Sequence, residues 1–131
     1  MISEAFDKPA ETDPYGKPAR APGSKLDAGK YLPGLVLGDF SPALRLVAEI
    51  GTIGARKYTP HGWKEVPDGI LRYEEAFWRH LLAHYQGELH DSDTNQLHLA
   101  HAAWNLLAVL SLADKDPNQS LEQRWTTKSK L

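Results

Sequence analysis

Residues 79–105, RHLLAHYQGELHDSDTNQLHLAHAAWN, decide the fold. They carry five of the six histidines, His80, His84, His90, His98 and His101, and the acids Glu88, Asp91 and Asp93. Apolar residues run through both flanks, so the segment belongs to the folded body. On a helix, His80 and His84 lie one turn apart on one face, and Glu88 follows if the helix passes Gly87. Beyond that break, His98, His101 and Asn105 follow i, i+3, i+7 spacing, again a single stripe. Two helices joined by an acidic turn would aim imidazoles and carboxylates at one another. That is a cradle for a divalent metal and a phosphate ester.

The flanking chain supplies the rest of the helices. Upstream, a helix runs from about Asp68 to Gln86, with Gly87 as its stop. Downstream, Thr94 or Asp93 caps a helix that reaches about Ala113, with Leu99, Ala103, Leu106 and Leu110 as its apolar face. A further helix opens at Ser41 as N-cap with Pro42 in first position. Its face of Leu44, Val47, Ile50 and Gly54, flanked by Ala48 and Gly51, predicts a closely packed neighbour. Arg56 and Lys57 occupy its last turn, where cations suit the helix dipole. Glu49 lies off this stripe and reads as a surface acid or a ligand.

The connector KYTPHGWKEVPDG, 57–69, mixes turn formers with Tyr58, His61 and Trp63. Such aromatics tuck into a core edge or stack on a nucleobase, with Lys57 near enough to meet a phosphate. Residues 25–39 read as an extended lead-in, with Asp27, Gly29 and Lys30 either phosphate contacts or a solvated loop. Residues 1–24, with four prolines, form a flexible arm that buries little surface. Residues 114–131 are a polar tail in which Leu121 and Trp125 hint at one more short helix. The expected fold is all-α: a small antiparallel helical bundle spanning 25–113. Broad apolar faces on short helices predict a homo-oligomer, a dimer or tetramer.

Composition narrows the function. A length of 131 residues suits one domain with a real core. The net charge of −2 gives no reason to expect nucleic-acid or membrane binding. The absence of cysteine excludes disulfides, thiolate catalysis and cysteine-ligated zinc. No run approaches the ~18 apolar residues of a membrane span, and the N-terminus lacks a signal-peptide core, so a soluble cytoplasmic protein is expected.

Carboxylates and imidazoles on facing helices hold Mg²⁺ or Mn²⁺, imidazole shifting the balance toward manganese. Two or more such ions activate water and clamp polyphosphate oxygens. Lys57, Arg72 and Arg79 are the cations to place on the phosphates. No HExxH, P-loop, GxSxG or zinc-finger spacing is present.

Several pieces taken together resemble a known family: DAGK (27–30), GARKY (54–58) followed by Trp63, RY (72–73), RHLLAHYQGE (79–88), DSD (91–93) and HLAHAAWN (98–105). Over roughly residues 25–112 the chain is similar to the phage dATP/dGTP diphosphohydrolases (MazZ-like), a branch of the all-α MazG-like NTP pyrophosphohydrolases. The resemblance implies a helical, oligomeric, Mg²⁺- or Mn²⁺-dependent hydrolase in the cytoplasm of a phage host. Its substrate would be a purine deoxynucleotide, dGTP favoured, converted to monophosphate and pyrophosphate for 2-aminoadenine DNA.

The chain departs from the broader MazG pattern of EExxE on one helix and ExxD on the next. Glu74-Glu75 is followed by Ala-Phe-Trp, and ExxD spacing occurs only at Glu88–Asp91, in a turn. What carries over is therefore local. Glu88 and Asp91 would hold metal and activate water, with His80, His98 and His101 as further ligands and Glu75 and Glu49 as weaker ones. Lys30, Lys57 and Arg79, with Arg72, would neutralise the triphosphate, Trp63 or Tyr58 would pack on the base, and Asn105 would contact substrate. Two rivals stay open: a histidine/aspartate metal phosphohydrolase, and a non-enzymatic helical module whose acids and histidines are capping or solvated.

Overall fold

A computed structural model describes residues 10–115. Leu121 and Trp125 of the expected C-terminal helix lie outside the described residues. The chain divides into two compact units, Met1–Asp39 and Phe40–Leu131.

The first unit is built on Asp13. Its carboxylate accepts the amides of Tyr15 (2.7 Å), Lys17 (3.3 Å) and the more distant Lys25 (2.8 Å). The Lys25 amide is the foremost reason its pKa lies below the usual value. The Ala28 amide donates to the Thr12 carbonyl at 3.0 Å and closes the loop. Within the stretch 1–24 read as a flexible arm, the described part thus forms hydrogen-bonded turns. The lead-in contains no strand, as expected, but it does contain a four-residue helix, α1 (Gly34–Leu37). Pro33 precedes α1 and presets its first turn. Leu35, Val36 and Leu37 are exposed.

Among its described residues the second unit holds three long helices. Helix α2 spans Ser41–Lys57, with Phe40 in the N-cap position expected for Ser41 and Pro42 in the first turn. A 3-10 turn, Gly62–Glu65, follows in the aromatic connector. Helix α3 spans Gly69–Tyr85 and α4 spans His98–Lys115. Helix α3 ends where Gly87 takes φ +94°, a conformation that costs glycine little, and the Glu88 amide reaches back to the Ala83 carbonyl at 3.0 Å. Glu88 therefore leaves the His80–His84 face instead of continuing it.

Helices α3 and α4 run antiparallel, with Gly69 against Leu112 at one end and His80 against His98 at the other. A Cβ at Gly69 would stand 3.0 Å from Leu112 Cδ1, and one at Gly51 would stand 3.2 Å from Trp104 Nε1. The small residues of α2 do mark a close neighbour. It is α4.

The start of α4 corrects the expected cap. Thr94 does not open the helix, which begins four residues later at His98. Asp91 and Thr94 instead shape the loop, whose ends are tied by His98 N to Leu89 O and Asp91 N to Gln96 O, both 2.8 Å. Side-chain hydrogen bonds to nearby amides outcompete helix nucleation here.

The two faces of α4 differ sharply. The apolar stripe read from the sequence, Leu99, Ala103, Leu106 and Leu110, is exposed, and Leu110 keeps 64% of its surface. The inward face carries His98, Ala102, Asn105 and Ala108, with His98 and Asn105 only 5% and 6% exposed. Ile50 and Leu71 complete a core of few large side chains among the described residues. Small residues let the helices approach closely, which forces the bulky leucines to the other side.

Candidate active site

Three stretches of the second unit converge on a cleft of about 1170 Å³. The end of α2 and the connector form one wall, α3 a second, and the 91–94 loop with α4 a third.

The polar end is a cluster of three imidazoles. His80 Nδ1 lies 2.8 Å from His98 Nδ1, and the His80 ring stacks on His101, with centroids 4.4 Å apart and planes 7° from parallel. Burial, foremost, and then the neighbouring His101 and His98 push the His80 pKa down to about 4. His80 is therefore neutral at neutral pH. Burial likewise lowers His101, against an opposing pull from Asp91.

Asp91 sits beside this cluster. Its Oδ1 accepts the amides of Asp93 and Thr94, both at 2.9 Å, and the Thr94 hydroxyl at 3.3 Å. Burial raises its pKa, but the two amides and the imidazoles outweigh that, and the net shift is downward. Because Thr94 Oγ1 donates to Asp91, it accepts from His101 Nε2–H across 2.7 Å. That leaves the His101 Nδ1 lone pair free. Donor atoms of His80, Asp91 and His98 lie within 4.8 Å of one another, a spacing that one metal ion can bridge.

The opposite end is aromatic. Trp63, Tyr73 and Trp104 meet edge to face, with centroids 5.6–6.2 Å apart. The Tyr73 hydroxyl donates to the Trp63 carbonyl at 2.9 Å and fixes the connector against α3. Asn105, on the adjoining turn, donates to the His101 carbonyl at 2.9 Å. Lys57, Arg72 and Arg79 lie along the cleft. The Lys57 ammonium pairs with Asp93 at 3.3 Å, which is the first cause of its raised pKa. Arg72 donates to the Pro67 carbonyl at 3.3 Å.

Among the expected site residues, the cleft is lined by His80, Asp91, His101, Glu75, Lys57, Tyr58, Trp63, Arg72, Arg79 and Asn105. His98 stands behind that lining, buried, with its Nδ1 on His80. Glu88 is exposed on the far side of His98, 3.5 Å from its Nε2. Glu49 is not part of the lining and pairs with Arg45 one turn earlier at 3.5 Å. Lys30 belongs to the first unit, where it pairs with Glu11 at 3.3 Å. Trp104, Tyr73 and Thr94 escaped notice as site residues. Tyr73 lies seven residues before His80 and Trp104 three after His101, so helical spacing alone would have found both.

No solved structure matches the chain. A dATP/dGTP diphosphohydrolase of Salmonella phage PMBT28 is 32% identical over 104 residues, covering 79% of this chain and 34% of that protein. The chain thus spans about a third of the length of this curated relative. Residues 20–122 match the family described as dATP/dGTP diphosphohydrolase, N-terminal, and the chain belongs to that family.

Proposed function

We propose that the cleft of this chain hydrolyses a purine deoxynucleoside triphosphate, dGTP in preference to dATP, to the monophosphate and pyrophosphate. The observation that carries the reading is the union, in one cleft, of three groups such a reaction needs. These are an imidazole–carboxylate cluster, cations for phosphate oxygens, and an aromatic wall for a base. Lys57, Arg72 and Arg79 would neutralise the triphosphate. The purine would pack on the edge of the Trp63, Tyr73 and Trp104 cluster, with Asn105 beside it.

The donor set fits a divalent ion, Mg²⁺ or Mn²⁺, held by His80, Asp91 and His98. When bound, the ion shields phosphate oxygens and makes water a better nucleophile. The chain's own residues then do the following. Asp91, fixed by the loop amides, orients the attacking water. His101 Nδ1, uncharged and free of hydrogen bonds, takes its proton. The water oxygen joins phosphorus, the bond between the α- and β-phosphates breaks, and pyrophosphate leaves. The likeness to a phage dATP/dGTP diphosphohydrolase supports a role in the deoxynucleotide pool of a phage host, and the dGMP formed in its cytoplasm would serve 2-aminoadenine DNA.

The outward leucines of α4 support assembly into a homo-oligomer, a dimer or tetramer. A second copy would cover Leu99, Leu106 and Leu110 together with the exposed Trp78, Leu82 and Tyr85 of α3. A second reading, a histidine/aspartate phosphohydrolase, draws on the excess of imidazole over carboxylate in the cluster. Product analysis separates the two. Each dNTP is incubated with the chain and Mg²⁺ or Mn²⁺, and nucleotides and phosphates are resolved by chromatography. Monophosphate plus pyrophosphate is expected, fastest from dGTP. Nucleoside plus triphosphate would establish the second reading, and absence of turnover would refute both.

A further inference from the structure

His98 is the best-buried polar residue of the second unit, and its two ring nitrogens face different partners. Nδ1 lies 2.8 Å from His80 Nδ1. Nε2 lies 3.5 Å from Glu88 Oε1, an ion-pair distance without hydrogen-bond alignment, and has no other partner among the described residues. A carboxylate on that side favours the tautomer with its proton on Nε2. The Nδ1 lone pair then points at His80, which donates its own Nδ1–H in the ion-free state. The same separation suits two ligands on one ion. Bonds of ~2.1 Å at right angles put the nitrogens roughly 3.0 Å apart. Only His80 has to move a proton.

Asp91 completes the set. Its Oδ1 is committed to Asp93 and Thr94, and Oδ2 makes no hydrogen bond among the described residues. The three donors come from α3, the loop and α4, each fixed independently. His80 and Asp91 line the cleft whereas His98 stands behind them, so an ion held by the three would be reached from the cleft. Magnesium prefers an all-oxygen shell, whereas imidazole nitrogen favours later first-row ions.

We infer that His80, His98 and Asp91 form one two-imidazole, one-carboxylate site that selects an ion of the manganese, cobalt or zinc type over magnesium, with Glu88 as the outer carboxylate that orients His98. Glu88 is then a positioning residue and not a ligand. The inference rests on the proposed hydrolase only for the use made of the ion, since binding needs no nucleotide.

The test is calorimetric titration of the full-length, metal-free chain with MnCl₂, CoCl₂ and MgCl₂ in the absence of nucleotide. One ion per chain is expected, with manganese and cobalt at least ~10-fold tighter than magnesium. Glu88→Gln should keep that stoichiometry but bind about 10- to 100-fold more weakly, with partial rescue by Glu88→Asp. Asp91→Asn, or His80→Gln with helicity verified by circular dichroism, should abolish binding. Nitrogen NMR of the ion-free imidazoles should show His98 protonated at Nε2 in the parent and a mixed tautomer in Glu88→Gln. Equal or tighter magnesium binding overturns the proposal. So does a Glu88→Gln variant that binds like the parent or that loses the ion as completely as Asp91→Asn. Ion binding without nucleotide turnover would refute the hydrolase and leave this site standing. Turnover of dGTP with no manganese or cobalt bound would refute this site alone.

Discussion

The two faces of α4 are built on opposite plans. The inward face presents His98, Ala102, Asn105 and Ala108, small or polar residues that bury little apolar surface. The outward face presents Leu99, Leu106 and Leu110, the residues whose burial would stabilise the helix most, at about 1.5–3 kcal/mol each. The difference teaches where this fold spends its apolar surface. Under the proposed function, chemistry would occupy the interior of the single chain, and hydrophobic stabilisation would be displaced to a surface that a second copy covers.

Substitutions can break this division at either face, and the inward one should give the largest effect. Asp91→Asn keeps the loop's size and most of its hydrogen bonds but removes the charge beside the imidazoles. Steady-state rates with dGTP should fall by roughly 10²-fold or more while helicity and melting stay close to the parent. On the outward face, Leu106→Glu combined with Leu110→Glu should split the assembly into single chains. Sedimentation equilibrium reads this directly. A mass unchanged from the parent would show that the leucine face is not the interface.

Asn105→Leu tests the inward face more gently. The helix carbonyl of His101 loses only a side-chain donor, so stability should hold or rise by about 1 kcal/mol. The KM for dGTP should rise about tenfold, a rough expectation for one lost polar contact to substrate. Improved stability with an unchanged KM would confine Asn105 to packing.

Stability should also depend on pH. His80 holds its proton near pH 6.5 when unfolded but only near pH 4 when folded. Its stabilising contribution is therefore full above about 6.5 and is lost as pH falls toward 4, because the unfolded chain then binds more protons. His101 acts in the same direction. Melting temperatures measured from pH 7.5 to 4.5 should decline, and His80→Gln should flatten that decline.

Much of this was legible in the sequence, and the limits have physical causes. The helices, the stop at Gly87 and the His98–His101–Asn105 stripe follow from local spacing and glycine conformation. Asp91, His80 and His101 could be gathered because they flank one turn. Hydrophobic periodicity identifies the most apolar stripe of α4 but not the side it faces, and that stripe points outward. Glu88 would have shared the His80 face only if the helix passed Gly87; that left-handed glycine stops it and leaves Glu88 beside His98, which local spacing does not encode. The partnership of Trp63 with Tyr73 and Trp104 depends on how three segments pack, which spacing within one helix does not encode.

The most direct test of the central claim is hydrolysis of α-phosphate-labelled dGTP by the parent chain and Asp91→Asn, matched in oligomer mass and melting temperature. The parent should convert the label to dGMP, and the variant should lose this conversion by about two orders of magnitude. Equal rates in the two proteins would contradict it, and the imidazole–carboxylate cluster inside α3 and α4 would then be part of the scaffold.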